Sequence, residues 1–275
     1  MNKTIVAILL FLIVCLTFSC SKAERRLVIL HTNDVHSAIE PDAKGEGGFA
    51  MRCALIDSIR QVEGEVLLVD AGDFFQGTPY FNFFGGSVEI EAMNKMGYNV
   101  ITLGNHEFDN GVDALVEQLK LSKSVIVSAN YDVSETHLKQ LVLPYTIIEK
   151  QGVKVGVFGL GVNPEGLIKE DLFGKVMHGN PLVTANQTAL KLKKKYACDV
   201  VVCLSHLGYR YASETEKIGD SILAVRSSHI DVIIGGHTHD LIVDKKIVNQ
   251  LGKEVTVAQT GRNGRYLGKI EIVVK

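Results

Sequence analysis

Five short apolar runs in this chain each stop at residues able to bind a metal or move a proton. Residues 26–31 lead into Thr32, Asn33, Asp34, Val35 and His36, and residues 65–69 into Asp70, Ala71, Gly72 and Asp73. Residues 98–102 lead into Gly104, Asn105, His106, Glu107, Phe108 and Asp109. Residues 199–204 end at Ser205 and His206, and residues 231–234 at Gly235, Gly236, His237, Thr238 and His239. Continuous Val, Ile and Leu runs of this length predict strands buried on both faces, as parallel sheets require. Open α/β sheets collect their ligand sites beyond the carboxyl ends of the strands. One pattern therefore constrains both the fold and the place of its chemistry.

Helical patterns fill the gaps. Residues 49–62 place Leu55, Ile56 and Ile59 on one face, residues 88–96 stop at Gly97, and residues 111–121, 181–196 and 213–225 also read as helices. Residues 125–128 make another strand, and residues 145–149 and 153–160 a hairpin around Lys150, Gln151 and Gly152. The stretch 242–274 reads as a β meander with turns at 249–252 and 262–264. Alternating strands and helices followed by consecutive strands predict an α/β fold with mixed sheets. With no linker or repeat in view, residues 20–275 read as one domain.

A length of 275 residues and a hydrophobic content of 46% suffice for a substantial core. A net charge of −2 gives no electrostatic reason to expect a nucleic acid polymer as partner. Lys3 followed by the apolar stretch 5–18 is too short for a membrane span and reads as a signal segment. It ends at Ser19, Cys20 and Ser21, which resembles the lipobox of bacterial lipoproteins. Residues 1–19 are therefore expected to be removed, leaving Cys20 as a lipid anchor in the bacterial envelope. Of the later cysteines, Cys53 falls in a helical pattern, while Cys198 and Cys203 read as facing opposite sides of one strand. No C-x-x-C spacing and no disulfide framework is present.

Taken singly, Asp34 and Asp73 fit turn caps, and His36 and His206 fit polar surface positions. Taken together, seven candidate ligands, Asp34, His36, Asp73, Asn105, His206, His237 and His239, all lie just past a strand. His137, His178 and His229 lie away from strand ends and receive no role. Imidazole, carboxylate and amide oxygen without thiolate suit Zn, Mn, Fe or Co. Seven ligands exceed what one ion needs, so two divalent ions sharing a carboxylate is the economical reading, with Asp73 as the bridge. Asp109 stands three residues beyond His106, close enough to orient its ring.

The segments 29–36, 70–73 with 76–78, 104–109, 205–208 and 236–239 resemble the calcineurin-like metallophosphoesterases, and within them the catalytic domain of the bacterial 5′-nucleotidase family. Residues 91–98 and 264–268 fit as well, so the resemblance spans nearly all of the chain after the signal segment. It implies a four-layer α/β/β/α sandwich with two mixed sheets, the metallophosphatase fold. It implies one ion held by Asp34, His36, Asp73 and His239, and a second by Asp73, Asn105, His206 and His237. His106 would be the catalytic acid, oriented by Asp109. Many 5′-nucleotidases carry an amide residue where His239 stands, whereas the wider superfamily commonly has His.

The implied activity is 5′-nucleotidase-type phosphomonoester hydrolysis through a metal-activated hydroxide. The alternatives are a cyclic-nucleotide phosphodiesterase, a nucleotide-sugar hydrolase, or a metal-binding subunit without activity of its own. The substrate class is a phosphorylated small molecule, with a nucleotide foremost. The family's C-terminal nucleotide-binding domain is not found before Lys275, which leads to the expectation of a separate C-terminal nucleotidase-domain protein as partner. The aromatic residues Phe74, Phe75, Tyr80, Phe81, Phe83 and Phe84 are read as packing beneath the helix at Val88 rather than stacking on a base.

Overall fold

The structure, a computed structural model, describes residues 24–212 and 217–274. The expected signal segment and Cys20 lie outside those residues. In the first sheet, β1 (Arg25–Thr32), β2 (Leu67–Asp70), β3 (Val100–Thr102), β4 (Val125–Val127) and β6 (Val142–Leu143) lie side by side in that order, all parallel. Strand β14 (Gly268–Val274) closes the other side, antiparallel to β1. In the second sheet, β8 (Val153–Gly161), β10 (Val200–His206), β11 (Val232–Gly235) and β13 (Glu254–Thr260) are parallel neighbours. Strand β7 (Tyr145–Lys150) flanks β8 and β12 (Leu241–Val248) flanks β13, both antiparallel. A small third pair joins β5 (Tyr131–Asp132) to β9 (Met177–His178).

The period-two alternation of the strands builds the layers. Leu27 and Ile29 of β1 point inward, where they meet Val155, Val157, Val202 and Ile234 of the second sheet. Val28 and Leu30 point outward under helices. Helices α1 (Phe49–Glu63), α2 (Pro79–Phe84), α3 (Ser87–Met96) and α4 (Gly111–Leu119) cover this face, contributing Ile56, Phe81, Ile90, Met93 and Leu115. A short α5 (Glu170–Phe173) follows β8. Helices α6 (Pro181–Lys194) and α7 (Asp220–Arg226) cover the second sheet through Ala185, Ala189, Leu192 and Leu223. Each Val, Leu or Ile buried completely in these layers contributes about 1.5–3 kcal/mol. The result is the four-layer α/β/β/α sandwich with two mixed sheets.

Three local expectations change. The stretch 242–274 is not a meander. Strands β12 and β13 form a hairpin in the second sheet, but β14 crosses over and pairs with β1 in the first. Alternation specifies which face is buried and is silent on which sheet supplies the partner. The helix expected over 213–225 is confined to α7 among the described residues, because Gly219 is extended and its Cα packs close to the Tyr209 carbonyl. Cys198 precedes β10 instead of sharing it with Cys203, and both pack into one apolar cluster.

The aromatic segment divides. Phe74, Phe75 and Phe81 are buried under α3, whereas Phe83 and Phe84 are 81% and 54% exposed. The segment also contains α2, with Pro79 at its first turn and left-handed Gly85 after its end, both favoured at those places.

Candidate metal centre

The loops after β1 and β2 run beside each other as a continuation of their strands. Asp34 N–H donates to Gly72 O at 2.9 Å, His36 N–H to Asp73 O at 3.0 Å, and Ser37 N–H to Phe74 O at 3.0 Å. This pairing is held in a backbone conformation that L-residues rarely adopt. Asp34, His36 and Asp73 have φ of 48°, 49° and 56°, and in the second sheet's loop His237 and His239 have 74° and 59°. Such backbone costs on the order of 1–3 kcal/mol per residue and survives where the surroundings over-determine it, as they do in ligand clamps.

The side chains converge from five strand ends. Asp34, His36 and His239 place one ligand atom each within 4.8 Å of one another, and so do Asp73, His206 and His237. Asp73 also groups with His36 and His106 on the same criterion, so it stands between the two clusters. His36 Nε2 and His239 Nε2 face each other at 3.0 Å, and His237 Nδ1 lies 2.9 Å from Asn105 Oδ1. His206 Nε2 is 3.0 Å from Asp73 Oδ2 but is not aligned for a hydrogen bond with it. On the far side of the ring, His206 Nδ1 donates to Ala71 O at 2.8 Å, so Nε2 is the nitrogen that an ion would take in exchange for its proton.

The floor is buried and the rim is open. Asp34, Asp73 and His206 are 0%, 2% and 0% exposed, whereas the side chains of His106 and Asp109 are 32% and 33% exposed. His106 Nδ1 pairs with Asp109 Oδ2 at 2.8 Å. Gly104 brings that turn against the floor, since a Cβ there would sit 2.7 Å from His206 Nε2 and 2.8 Å from Asp73 N.

Electrostatics favour cations. Burial pushes His36 down, and burial with the nearby His206 charge pushes His237 down to about 4, so both present neutral rings. Burial would lower His206 too, but the Asp73 charge lifts it to about 10. Burial raises the Asp73 carboxyl, yet the charge of His206 above all, with that of His106, outweighs this and holds it well below its ordinary value. A buried carboxylate neutralised chiefly by a proton on a neighbouring ring suits exchange of that proton for a metal ion. Hydrogen bonding to Asp109 raises His106. Carboxylate, imidazole and amide oxygen donors without thiolate fit Zn²⁺, Mn²⁺ or Fe ions.

The structure thus gathers all nine sequence-predicted residues in one place. His178, set aside above, instead ends β9 and packs on the Tyr131 ring. Asn33 is a contributor that was missed. Asn33 Oδ1 accepts from Thr260 N–H and Thr260 Oγ1, both at 2.7 Å, while its Nδ2 donates to Gly261 O at 2.9 Å and to Asp34 Oδ2. It bolts the second sheet to the carboxylate of the first. An Asn beside Asp at a strand end hints at a turn, and nothing in its spacing tells of a partner so far along the chain.

The profile of the calcineurin-like phosphoesterases matches residues 27–241. The chain is 35% identical over 225 residues to a 5′-nucleotidase of Vibrio cholerae, covering 78% of this chain and 40% of that protein. It superposes with a TM-score of 0.81 on the 5′-nucleotidase precursor of Thermus thermophilus, at 34% identity, covering 90% of this chain and 51% of the other. It superposes with a TM-score of 0.78 on the calcineurin-like phosphoesterase YfkN of Bacillus subtilis, at 28% identity, covering 92% and 86%. The chain spans about half the length, or less, of the curated relatives it matches.

Proposed function

Because this chain belongs to the calcineurin-like phosphoesterase family, whose members use divalent metals, we propose that it is a dinuclear phosphomonoesterase of the 5′-nucleotidase type. The observation that carries this reading is the two ligand clusters, Asp34–His36–His239 and Asp73–His206–His237, joined by the approach of Asp73 to His36 and His106 and set beside the His106–Asp109 pair. Asp34, His36, Asp73 and His239 would hold one ion, and Asp73, Asn105, His206 and His237 the other. Two such ions supply charge neutralisation of the phosphoryl oxygens and an acidified water as nucleophile.

The protein groups do the rest. Asp109 fixes the ring orientation of His106 and favours its cationic form, with Nδ1 engaged and Nε2 left for substrate. His106 Nε2–H steadies the phosphoryl group or gives its proton to the departing alkoxide, a role typically contributing about 10²–10⁴-fold. The carboxyl groups of Asp34 and Asp73 are buried away from solvent and would face the ions. Retention of the His106–Asp109 pair argues for an enzyme over a metal-binding subunit without activity.

The substrate class that suits this site is a small phosphate monoester, with nucleoside monophosphates foremost given the named relatives. We further propose that residues 20–275 form one catalytic domain, and that the protein is exported on residues 1–19 and anchored through lipid on Cys20. Cys20→Ser should then abolish lipid labelling. The activity is tested with the purified, metal-supplemented protein on nucleoside monophosphates, sugar phosphates, cyclic nucleotides and nucleotide sugars. Monophosphate hydrolysis that is lost on chelation and restored by metal is expected. Bound metal with no hydrolysis of any of them would support the subunit reading instead.

A further inference from the structure

Glu107 occupies the centre of this site and has no part in the mechanism above. Its side chain is only 2% exposed, and four backbone N–H groups donate to its carboxylate. Phe74 and Phe75 reach Oε1 at 2.9 and 3.2 Å, and Asp73 and Gly104 reach Oε2 at 3.0 and 2.6 Å. Three donors come from the loop after β2 and one from the loop after β3. Each carboxyl oxygen thus accepts from two N–H groups that would otherwise be buried without a partner.

These bonds close a ring. Glu107 grips the Asp73 backbone, and Asp73 Oδ1 in turn accepts from His106 N–H at 2.9 Å. His106 and Glu107 are adjacent in the chain, so the side chain of Asp73 and the turn bearing Asn105 and His106 are locked to each other from both directions. The left-handed backbone of Asp73, with φ of 56°, lies inside that ring.

We propose that Glu107 is the positioning residue of the centre. Without touching ion or substrate, it holds Asp73 in its left-handed conformation and sets the separation between the Asp73 carboxylate and the Asn105–His106 turn. The metal-affinity arm of this inference rests on the two-ion reading above, whereas the backbone arm does not. Side-chain size alone does not meet the requirement. Gln has the same length but one acceptor oxygen, and its NH₂ would face two N–H donors. Asp keeps both oxygens and loses a methylene, so it cannot span both loops.

The test uses the full chain in two measurements. The first is amide hydrogen exchange at Asp73, Phe74, Phe75 and Gly104 in the metal-free protein. The second is titration with Zn²⁺. Glu107→Gln is expected to speed exchange at least tenfold at two or more of the four amides. It should also weaken Zn²⁺ binding by about 10–100-fold, the usual effect of losing a group that orients a ligand. Leu192→Ala, which opens a cavity beneath α6 on the far side of the second sheet, controls for lost stability alone and should change neither readout. Should Glu107→Gln not fold, Glu107→Asp takes its place, with faster exchange at one loop and the same weakening expected.

Exchange and Zn²⁺ affinity in a folded Glu107 variant equal to wild type, or matching those of Leu192→Ala, would overturn the proposal. If the wild-type protein binds no Zn²⁺, the two-ion reading fails. The exchange rates still decide whether Glu107 holds the two loops.

Discussion

Gly104→Ala probes how tightly the centre is built. The backbone at Gly104 is not left-handed, so alanine meets no conformational penalty, and a stiffer unfolded chain would add about 0.4–1 kcal/mol of stability. Sterics oppose this. The new Cβ would fall within contact range of Asp73 Oδ1, 2.7 Å from His206 Nε2 and 2.8 Å from Asp73 N. Non-bonded carbon contacts settle near ~3.5–4.0 Å, so these neighbours must retreat by about 1 Å. Overpacking of this kind typically costs ~1–3 kcal/mol. The net loss of about 0–2.5 kcal/mol corresponds to a fall in melting temperature of no more than about 10 °C. Function should suffer far more, since a displacement of about 1 Å at reacting groups is enough for a ~10²-fold loss.

Metal content by elemental analysis and hydrolysis of nitrophenyl phosphate would be measured beside Gly179→Ala. There the nearest atoms to a Cβ lie at 3.5 and 3.9 Å, so no effect is expected. A Gly104→Ala protein with wild-type metal content and rate would refute the close approach of this turn to Asp73 and His206.

Other expectations are independent of this one. His106→Asn should keep its metal while hydrolysis falls about 10²–10⁴-fold; loss of metal would make His106 a ligand rather than the acid. Burial pushes the Asp220 carboxyl up to about 8 from an ordinary 3.8, so between those pH values the folded state holds a proton that the unfolded state has released. Asp220 therefore lowers stability as pH rises through that window, by up to about 1.4 kcal/mol per pH unit. Asp220→Asn should raise the melting temperature of the chelated protein more at pH ~8 than at pH ~5, and an equal change at both would contradict the assignment. Arg52 is 1% exposed and donates to Ala38 O and Gly264 O at 2.9 and 3.2 Å. Arg52→Met should destabilise by about 1–3 kcal/mol for each carbonyl left buried without a partner, and unaltered thermal unfolding would disprove that role.

The candidate ligands were legible because each follows directly on a strand that is buried on both faces and so reads as an apolar run. Asp34, Asp73, Asn105, His206 and His237 could be placed without knowing how the strands pair. What could not be read depends on contacts between distant segments. The left-handed backbone of Asp34, His36 and Asp73 comes from the pairing of two loops, and no residue preference announces it. The Glu107 carboxylate looks like an ordinary surface acid in a polar turn until four N–H groups are seen around it. The destination of β14 was hidden for the same reason, as an alternating strand suits either sheet.

The pairing of β14 with β1 also has a consequence in time. Its register runs from Arg25 opposite Val274 to His31 opposite Gly268, so one of the earliest strands to leave the ribosome waits for the last described one. Contacts this distant in sequence form slowly. Until they do, one edge of β1 offers unpaired N–H and C=O groups to any passing strand. Asp34 waits as well, because Asn263 N–H reaches its carbonyl at 2.7 Å from the segment just before β14. A lesion in that last segment would act twice, first by prolonging the exposure of a sticky edge in the nascent protein, and later by loosening Asp34 in the finished one.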